Sequence, residues 1–264
     1  MTLQNTEIEI YTEKQCPDYL FNMRWSKGYR CPRCRHDKKL DIKDFKYKCL
    51  NCDYQTTVTA GTLFQDTQYK MLPAWFKAIQ FVTSQTSCTN ALEMQKTLGL
   101  GSYRTSLLML HKLRHAMCSS KQVKLCGTIE VGRSYIGKHE IAVAVEVRND
   151  KIGQIRLNVI KKDGINNLRT FVESNVKLRS NIKSDKNYID ARNKKLPNAV
   201  NVIDKLKKWL PKILTGYFTS EHLDYYLGEY CFKFNRRNSR KNLFDELLQN
   251  AVNTKPIPYK EIKK

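Results

Sequence analysis

The stretches that decide the fold are Cys31-Pro32-Arg33-Cys34 and, after fourteen intervening residues, Cys49-Leu50-Asn51-Cys52. Each Cys-x-x-Cys pair turns tightly enough to aim two sulfur atoms at one point, and the intervening chain can return as a short β-hairpin. This spacing predicts a zinc ribbon, with Cys31, Cys34, Cys49 and Cys52 as the ligands of one structural Zn²⁺. The alternative is a pair of disulfides, which the neighbouring basic residues and the intracellular composition disfavour.

The charge of the chain is the second informative property. Lys and Arg total 47 against 25 acidic residues, which gives a formal net charge of +22. Both halves of the sequence carry the excess, so no single basic tail explains it. A polyanion is the natural partner of such a chain, because each neutralised phosphate releases counterions. The composition therefore favours nucleic acid, and double-stranded DNA is the predicted partner.

Other classes of protein are disfavoured by the composition. A hydrophobic content of 41% is too high for a disordered chain. No run of 18 apolar residues exists, so we expect no membrane span, and the polar N-terminus does not resemble a signal peptide. Five cysteines outside the zinc motif have no pairing pattern, which fits a reducing compartment. We expect an intracellular protein, nuclear in a eukaryote or in the cytoplasm and nucleoid of a bacterium.

A helical region follows the ribbon. Pro73 marks a helix start, and a second helix of residues 89–98 is ended by Gly99. Ser102 caps a third helix, Tyr103 to Met117, in which Leu107, Leu110, Leu113 and Met117 form the apolar stripe. Helix, glycine turn, helix is the pattern of a helix-turn-helix motif. The candidate DNA contacts are the polar residues away from the stripe: Tyr103, Arg104, Lys112 and Arg114.

From residue 126 the sequence changes to β-branched, apolar runs. Three strands, a helix near residues 168–176 and a short fourth strand ending at Asp185 predict an α/β core. Three further helices follow, and the tail is rich in Lys and Pro. The predicted fold is α+β and multidomain. Its parts are a zinc ribbon (13–58), a helical DNA-binding region (59–125), an α/β domain (126–252) and a basic tail (253–264).

The chain, with its parts in this order, resembles the small insertion-sequence transposases that begin with a zinc ribbon, and their eukaryotic Merlin-type relatives. The resemblance spans roughly residues 13–248. It is carried by five stretches: residues 24–32, 57–64, 98–105, 129–137 and 221–237. It implies that the α/β domain is RNase H-like and that three acidic side chains bind two Mg²⁺ or Mn²⁺ ions. In such a site one ion activates the attacking hydroxyl and the other stabilises the leaving oxygen.

The catalytic positions depart from the family pattern. Its first aspartate corresponds to Gly132, and the neighbouring acid to Arg133. Asp185 matches the second acid, and Asp204 matches the third with a side chain one methylene shorter. The segment from Asp185 to Asp204 is also short for the family, and one strand of the sheet is missing. We expect Arg133 to place a positive charge beside the site. Glu130, two residues from Gly132, is a weak replacement ligand.

These observations predict a transposase-derived DNA-binding protein that recognises element-end DNA and has impaired or lost strand transfer. An active cut-and-paste transposase and a zinc-ribbon adapter for protein or RNA are the alternatives. Homodimer formation is left open by the sequence.

Overall fold

The computed structural model describes residues 11–119, 122–160, 168–185, 189, 194–210, 220–239 and 242–257. The chain divides into two units. The first unit joins residues 1–85 and 89–120 to 241–264, and the second contains 86–88 and 121–240. The elements of the first unit are α1 (Gln15–Arg24), β1 (Lys39–Ile42), β2 (Lys46–Cys49), β3 (Gln55–Thr57), α2 (Leu72–Ser84), α3 (Ala91–Leu98), α4 (Tyr103–Ser119) and α8 (Leu243–Asn253).

The predicted ribbon is a three-stranded antiparallel sheet in the order β1-β2-β3. Its inner face is covered by α1. The ring of Tyr47 contacts the rings of Phe21 and Trp25, with centroids 5.3 and 5.8 Å apart. Arg24 donates from Nη1 to the carbonyl oxygens of Thr57 and Val58, at 2.9 Å each. A sheet of this size cannot bury enough apolar surface by itself, and these contacts bury its inner face.

The helix ends that the sequence predicted between α3 and α4 are confirmed. Asn90 precedes α3, and its side chain accepts a hydrogen bond from the Leu92 N–H. Gly99 ends α3 with a φ of 63°, a left-handed conformation that glycine adopts without a side-chain clash. The Ser102 hydroxyl accepts from the Thr105 N–H at the start of α4.

Burial on α4 is wider than the predicted stripe. Leu110, Leu113 and Met117 are buried, whereas Leu107 is half-buried. Further buried positions lie outside the stripe: Ser106, Met109, His111, Arg114 and Ala116. The reason is that α4 packs against three helices, α2, α3 and α8, rather than against one surface. Its first residues remain exposed.

The last helix lies with the N-terminal unit. Phe244 of α8 contacts the ring of Phe76, and Asp245 accepts a hydrogen bond from the Tyr19 hydroxyl at 2.5 Å. The Ala251 carbonyl accepts from the Leu63 N–H at 3.0 Å. The sequence predicts that residues up to 252 belong to the α/β domain, whereas residues 241–252 belong to the first unit. The amphipathic pattern of α8 predicts a buried stripe but does not identify the surface that covers it.

The second unit is a mixed sheet with helices on both faces. Its elements are β4 (Thr128–Ile136), β5 (His139–Arg148), β6 (Lys151–Val159), α5 (Leu168–Asn175), β7 (Asn181–Ser184), α6 (Pro197–Trp209) and α7 (Ser220–Asn235). The strand order is β6-β5-β4-β7, in which β4, β5 and β6 are antiparallel and β7 is parallel to β4. One face packs on α6 and α7, and the other on α5.

The free edge of β6 is closed by side chains of α7. Asn235 accepts a hydrogen bond from the Ile155 N–H at 2.8 Å and donates to the Ile155 carbonyl at 3.1 Å. Asp224 accepts from the Val159 N–H at 2.8 Å. Arg237, just beyond the helix, donates to the carbonyl of Gly153. These contacts satisfy backbone groups that an edge strand otherwise leaves open to pairing with another chain.

No helix in the described ranges combines the length and the apolar character needed to cross a membrane.

Replacing Asn235 with Ala is expected to lower the free energy of unfolding by roughly 1–3 kcal/mol, because the Ile155 N–H loses its acceptor and the Ile155 carbonyl keeps only the hydrogen bond from Arg156 Nη1. Asn238→Ala is the matched control, since Asn238 is exposed. Chemical denaturation of both variants measures the difference. Equal stability of the two variants would show that the hydrogen bonds between Asn235 and Ile155 contribute nothing.

Candidate functional site

The four cysteines of the ribbon converge on one point. Their sulfur atoms all lie within 4.8 Å of one another. The Cys31 and Cys52 sulfurs are 3.7 Å apart, and the Cys34 and Cys49 sulfurs are 3.5 Å apart. A zinc ion with tetrahedral bonds of about 2.3 Å separates its sulfur ligands by about 3.8 Å. The site therefore fits Zn²⁺. Disulfides are excluded in this structure, since a bonded pair lies at about 2.05 Å.

The two halves of the site have the same backbone design. The Cys31 carbonyl accepts from the Arg35 N–H at 3.0 Å, and the Cys49 carbonyl accepts from the Asp53 N–H at 3.2 Å. Arg35 and Asp53 both have positive φ, 66° and 55°. Each tight turn directs backbone N–H groups towards the sulfurs, and the Asn51 N–H donates to the Cys49 sulfur at 3.4 Å.

The environment already favours thiolates at part of the site. Burial acts to raise the pKa of Cys31, but backbone and thiol hydrogen bonds outweigh it and lower the pKa to about 6. A backbone hydrogen bond from His36 lowers the pKa of Cys34. At Cys52, the backbone of Tyr54 acts to lower the pKa, yet burial and the neighbouring thiols raise it to about 12. Four adjacent thiolates repel one another, so complete ionisation requires a bound cation.

The four residues that the sequence proposes for DNA contact differ in exposure. Tyr103 is 50% exposed, and Arg104 is exposed beside it in the first turn of α4. Lys112 is half-buried with its ammonium 5.9 Å from the centre of the Trp75 ring, and desolvation lowers its pKa although Asp66 acts to raise it.

The predicted position of Arg114 on the exposed side of α4 is wrong. Its side chain is 1% exposed, and Nη2 donates to the Thr89 carbonyl at 2.8 Å. The guanidinium therefore links α4 to Thr89, two residues before α3, and cannot reach a phosphate in this conformation. Helical spacing assigned Arg114 to the polar side, but the packing of α4 against several helices buries that side as well.

On the α/β sheet, the space where the resemblance places the first carboxylate is filled. A Cβ atom at Gly132 would lie 2.8 Å from Cδ1 and 2.9 Å from Cγ1 of Ile189, and 3.3 Å from Cδ1 of Leu196. Ile189 is held there by its backbone: its N–H donates to the Arg133 carbonyl, and its carbonyl accepts from the Ser134 hydroxyl. An apolar plug, defined as Ile189 with Leu196, therefore covers position 132.

The expected roles of two neighbours on β4 are also corrected. Successive residues of a strand point to opposite faces, so Arg133 lies on the other face of the sheet from Gly132, where it pairs with Glu140 at 3.3 Å. Glu130 does share the face of Gly132, but it is 3% exposed and both carboxylate oxygens are occupied. They accept from the Asn198 side chain and the Ala199 N–H at 2.8 Å each, at the first turn of α6.

Neither of the two remaining candidate acids lies in a cluster of described side chains that could share a metal. Asp185 directly follows β7, next to the Ser184–Val131 pair, and its Oδ1 lies 3.9 Å from Nζ of Lys195. Asp204 is exposed on α6, and it is not one of the residues through which that helix packs on the sheet. Within the part of the chain that the structure describes, the four cysteines are the sole group of three or more His, Cys, Asp or Glu side chains close enough to share a metal.

Sequence reasoning did not identify Ile189, Leu196 or the capping role of Glu130. One signal was available: a glycine inside an apolar strand marks the close approach of another group. The identity of that group depends on where residue 189 returns to the sheet, which no local pattern specifies.

Comparison with known proteins gives two likenesses. Residues 11–55 match the model of the transposase zinc-ribbon domain. The chain is also 22% identical over 129 residues to the protein described as "Uncharacterized protein in transposable element ISH50" from Halobacterium salinarum. That alignment covers 47% of this chain and 42% of the relative, so the chain matches less than half of the relative's length. Both likenesses support a relationship to transposases.

Purified protein is expected to contain about one zinc ion per chain and to lose it on acidification, because protons compete with the metal for the sulfurs. Cys49→Ala should abolish binding and unfold the ribbon. Cys126→Ala, which removes an exposed cysteine outside the site, should not. Metal analysis after dialysis at neutral and acidic pH measures this. Zinc-free protein with a folded ribbon would contradict the assignment.

Proposed function

We propose that this protein is a transposase-derived DNA-binding protein that recognises the ends of its element but no longer cuts or joins DNA. The zinc-ribbon match and the four-cysteine geometry support descent from a transposase. The loss of activity depends mainly on one observation, the close contact that Ile189 and Leu196 make with position 132.

DNA binding is supported by the charge and by the solvent exposure of the first turn of α4. In helix-turn-helix proteins the N-terminal residues of the second helix contact base edges in the major groove. Here α3, the Gly99 turn and α4 are the proposed helix-turn-helix, and the first turn of α4 presents Tyr103 and Arg104 to solvent. A net charge of +22 supplies the non-specific attraction to phosphates.

An RNase H-like origin of the sheet is supported by its topology. Three antiparallel strands, a helix and a fourth strand parallel to the first give the order β6-β5-β4-β7. In that arrangement the first strand β4 lies between β5 and β7. This puts Gly132 beside Asp185, the two positions that the resemblance assigns to the first and second acids.

The proposed loss of catalysis is supported by the chemistry of two-metal sites. Each ion must be held by carboxylates, and a ligand shared by both ions positions them relative to each other. Here an apolar plug covers Gly132, the carboxylate of Glu130 is engaged by α6, and Asp204 faces solvent. Of these acids, Asp185 is the one left, and a single carboxylate does not retain two divalent ions.

Replacing Arg104 with Ala is expected to weaken binding to an element-end duplex 3- to 10-fold and to lower the salt slope of the association constant by about 1. Arg169→Ala, an equal loss of charge at an exposed position of α5, is the control and should change little. Fluorescence anisotropy across a salt series, with an RNA hairpin as competitor, measures both. Binding that prefers the RNA, or that is equally affected by the control, would count against duplex recognition through α4.

The protein is expected to release no product from an element-end duplex in Mn²⁺. Gly132→Asp should not restore cleavage, and it should lower the free energy of unfolding by roughly 2–5 kcal/mol because a carboxylate would be buried against the apolar plug. A gel assay of strand cleavage, together with denaturation, tests both statements. Metal-dependent cleavage by the unaltered chain that disappears in Asp185→Ala would establish an active transposase instead.

A further inference from the structure

The zinc ribbon has an outer face that neither the metal nor the core uses. In an antiparallel pair, residues directly opposite each other lie on the same face of the sheet. Tyr47, Thr56 and Cys49 point inwards and are buried. The alternate positions therefore point outwards, and cross-strand pairing brings Leu40 opposite Lys48 and Ile42 opposite Lys46.

The composition of this outer face is unusual for a solvated surface. Leu40 is 54% exposed, Ile42 37% and Leu50 58%. These three large hydrophobic side chains are exposed to solvent, and they lie within eleven positions of the sequence. The Leu50 N–H donates to the Lys38 carbonyl, which extends the pairing so that this lysine lies opposite Leu50. Each aliphatic side chain is thus paired with a lysine.

The charged side chains of this outer face are all cationic. Lys38, Lys46 and Lys48 contribute three cations, and Gln55 lies opposite Lys48 on β3. The acidic neighbour is Asp53, which pairs with Lys48 at 2.8 Å while both side chains remain partly exposed. Asp41 of β1 points to the other face, since it is opposite Tyr47. On this sheet face, cations alternate with apolar groups. Such a face is complementary to a surface on which phosphates alternate with apolar groups.

We propose that this outer face, defined as Lys38, Leu40, Ile42, Lys46, Lys48, Leu50 and Gln55, binds duplex DNA directly. The lysines contact phosphates, and the aliphatic side chains contact deoxyribose carbons and thymine methyl groups. The ribbon is then a second contact in addition to the first turn of α4. This inference rests on the proposed DNA-binding function and adds to it the surface that the ribbon uses.

Photo-crosslinking tests the face with a control in the neighbouring residue. A benzophenone side chain is introduced at position 40 or at position 41 of the full, zinc-loaded chain and irradiated with a random-sequence 30-base-pair duplex. Both positions are exposed, but they point to opposite faces of β1. Crosslinking at 40 that exceeds crosslinking at 41 at least tenfold is the expected result. Equal crosslinking, or more at 41, overturns the proposal.

Affinity measurements give a second, independent test. The Lys46→Gln, Lys48→Gln double variant should lose about tenfold in affinity for the same duplex and reduce the salt slope by about 1.8, since each phosphate contact contributes about 0.9. Leu40→Ser should weaken binding with an unchanged slope. Lys27→Gln is the control, because Lys27 is exposed in the same unit but outside the face. Zinc content and circular dichroism confirm that each variant is folded.

The outcomes separate this inference from the function on which it rests. If Arg104→Ala weakens binding while the double variant behaves like Lys27→Gln, the outer face is only a solvated surface and the inference is wrong, although DNA binding stands. If the unaltered chain does not bind the duplex at low salt, the proposed function fails, and the inference fails with it.

Discussion

Mutual repulsion among four sulfur atoms is the constraint on which the N-terminal unit depends. The fold brings them within 4.8 Å, at a spacing that suits a divalent cation and that four thiolates alone cannot tolerate. The ribbon strands are three or four residues long, too short to be stable without further support. Metal binding and the cover of α1 therefore act together, and the energy of the metal bonds becomes folding energy.

How far the sequence predicts this protein depends on whether the signal is local. The zinc ligands, the glycine turn between α3 and α4, and the strands of the second unit are each specified by local patterns. The structure has them where the sequence predicts, although α3 begins at Ala91 and α4 extends to Ser119. Arg114 and α8 are different, because their surroundings come from distant segments. Helical periodicity identifies which side of a helix is apolar, but it does not count how many neighbours surround that helix.

The candidate catalytic face illustrates the same limit. The sequence singled out Gly132 because alignment with the family motif puts the first acid at this position. It missed that the vacated space had been filled, because Ile189 comes from a segment 57 residues later in the chain. It also misplaced the charge of Arg133, although the alternation of strand side chains would have assigned it to the other face.

The packing around Gly132 has a consequence for the history of such a chain. While a catalytic site has only lost a ligand, one nucleotide change can return the acid, and the loss is reversible. Under the proposed function, apolar side chains now fill the volume of the first acid. A Cβ atom at position 132 would lie less than 3 Å from Ile189, so reversion is penalised by instability before any activity is regained. Core packing then makes the loss difficult to reverse. Recovery needs several coordinated substitutions, while mutations that improve the new core are accepted singly.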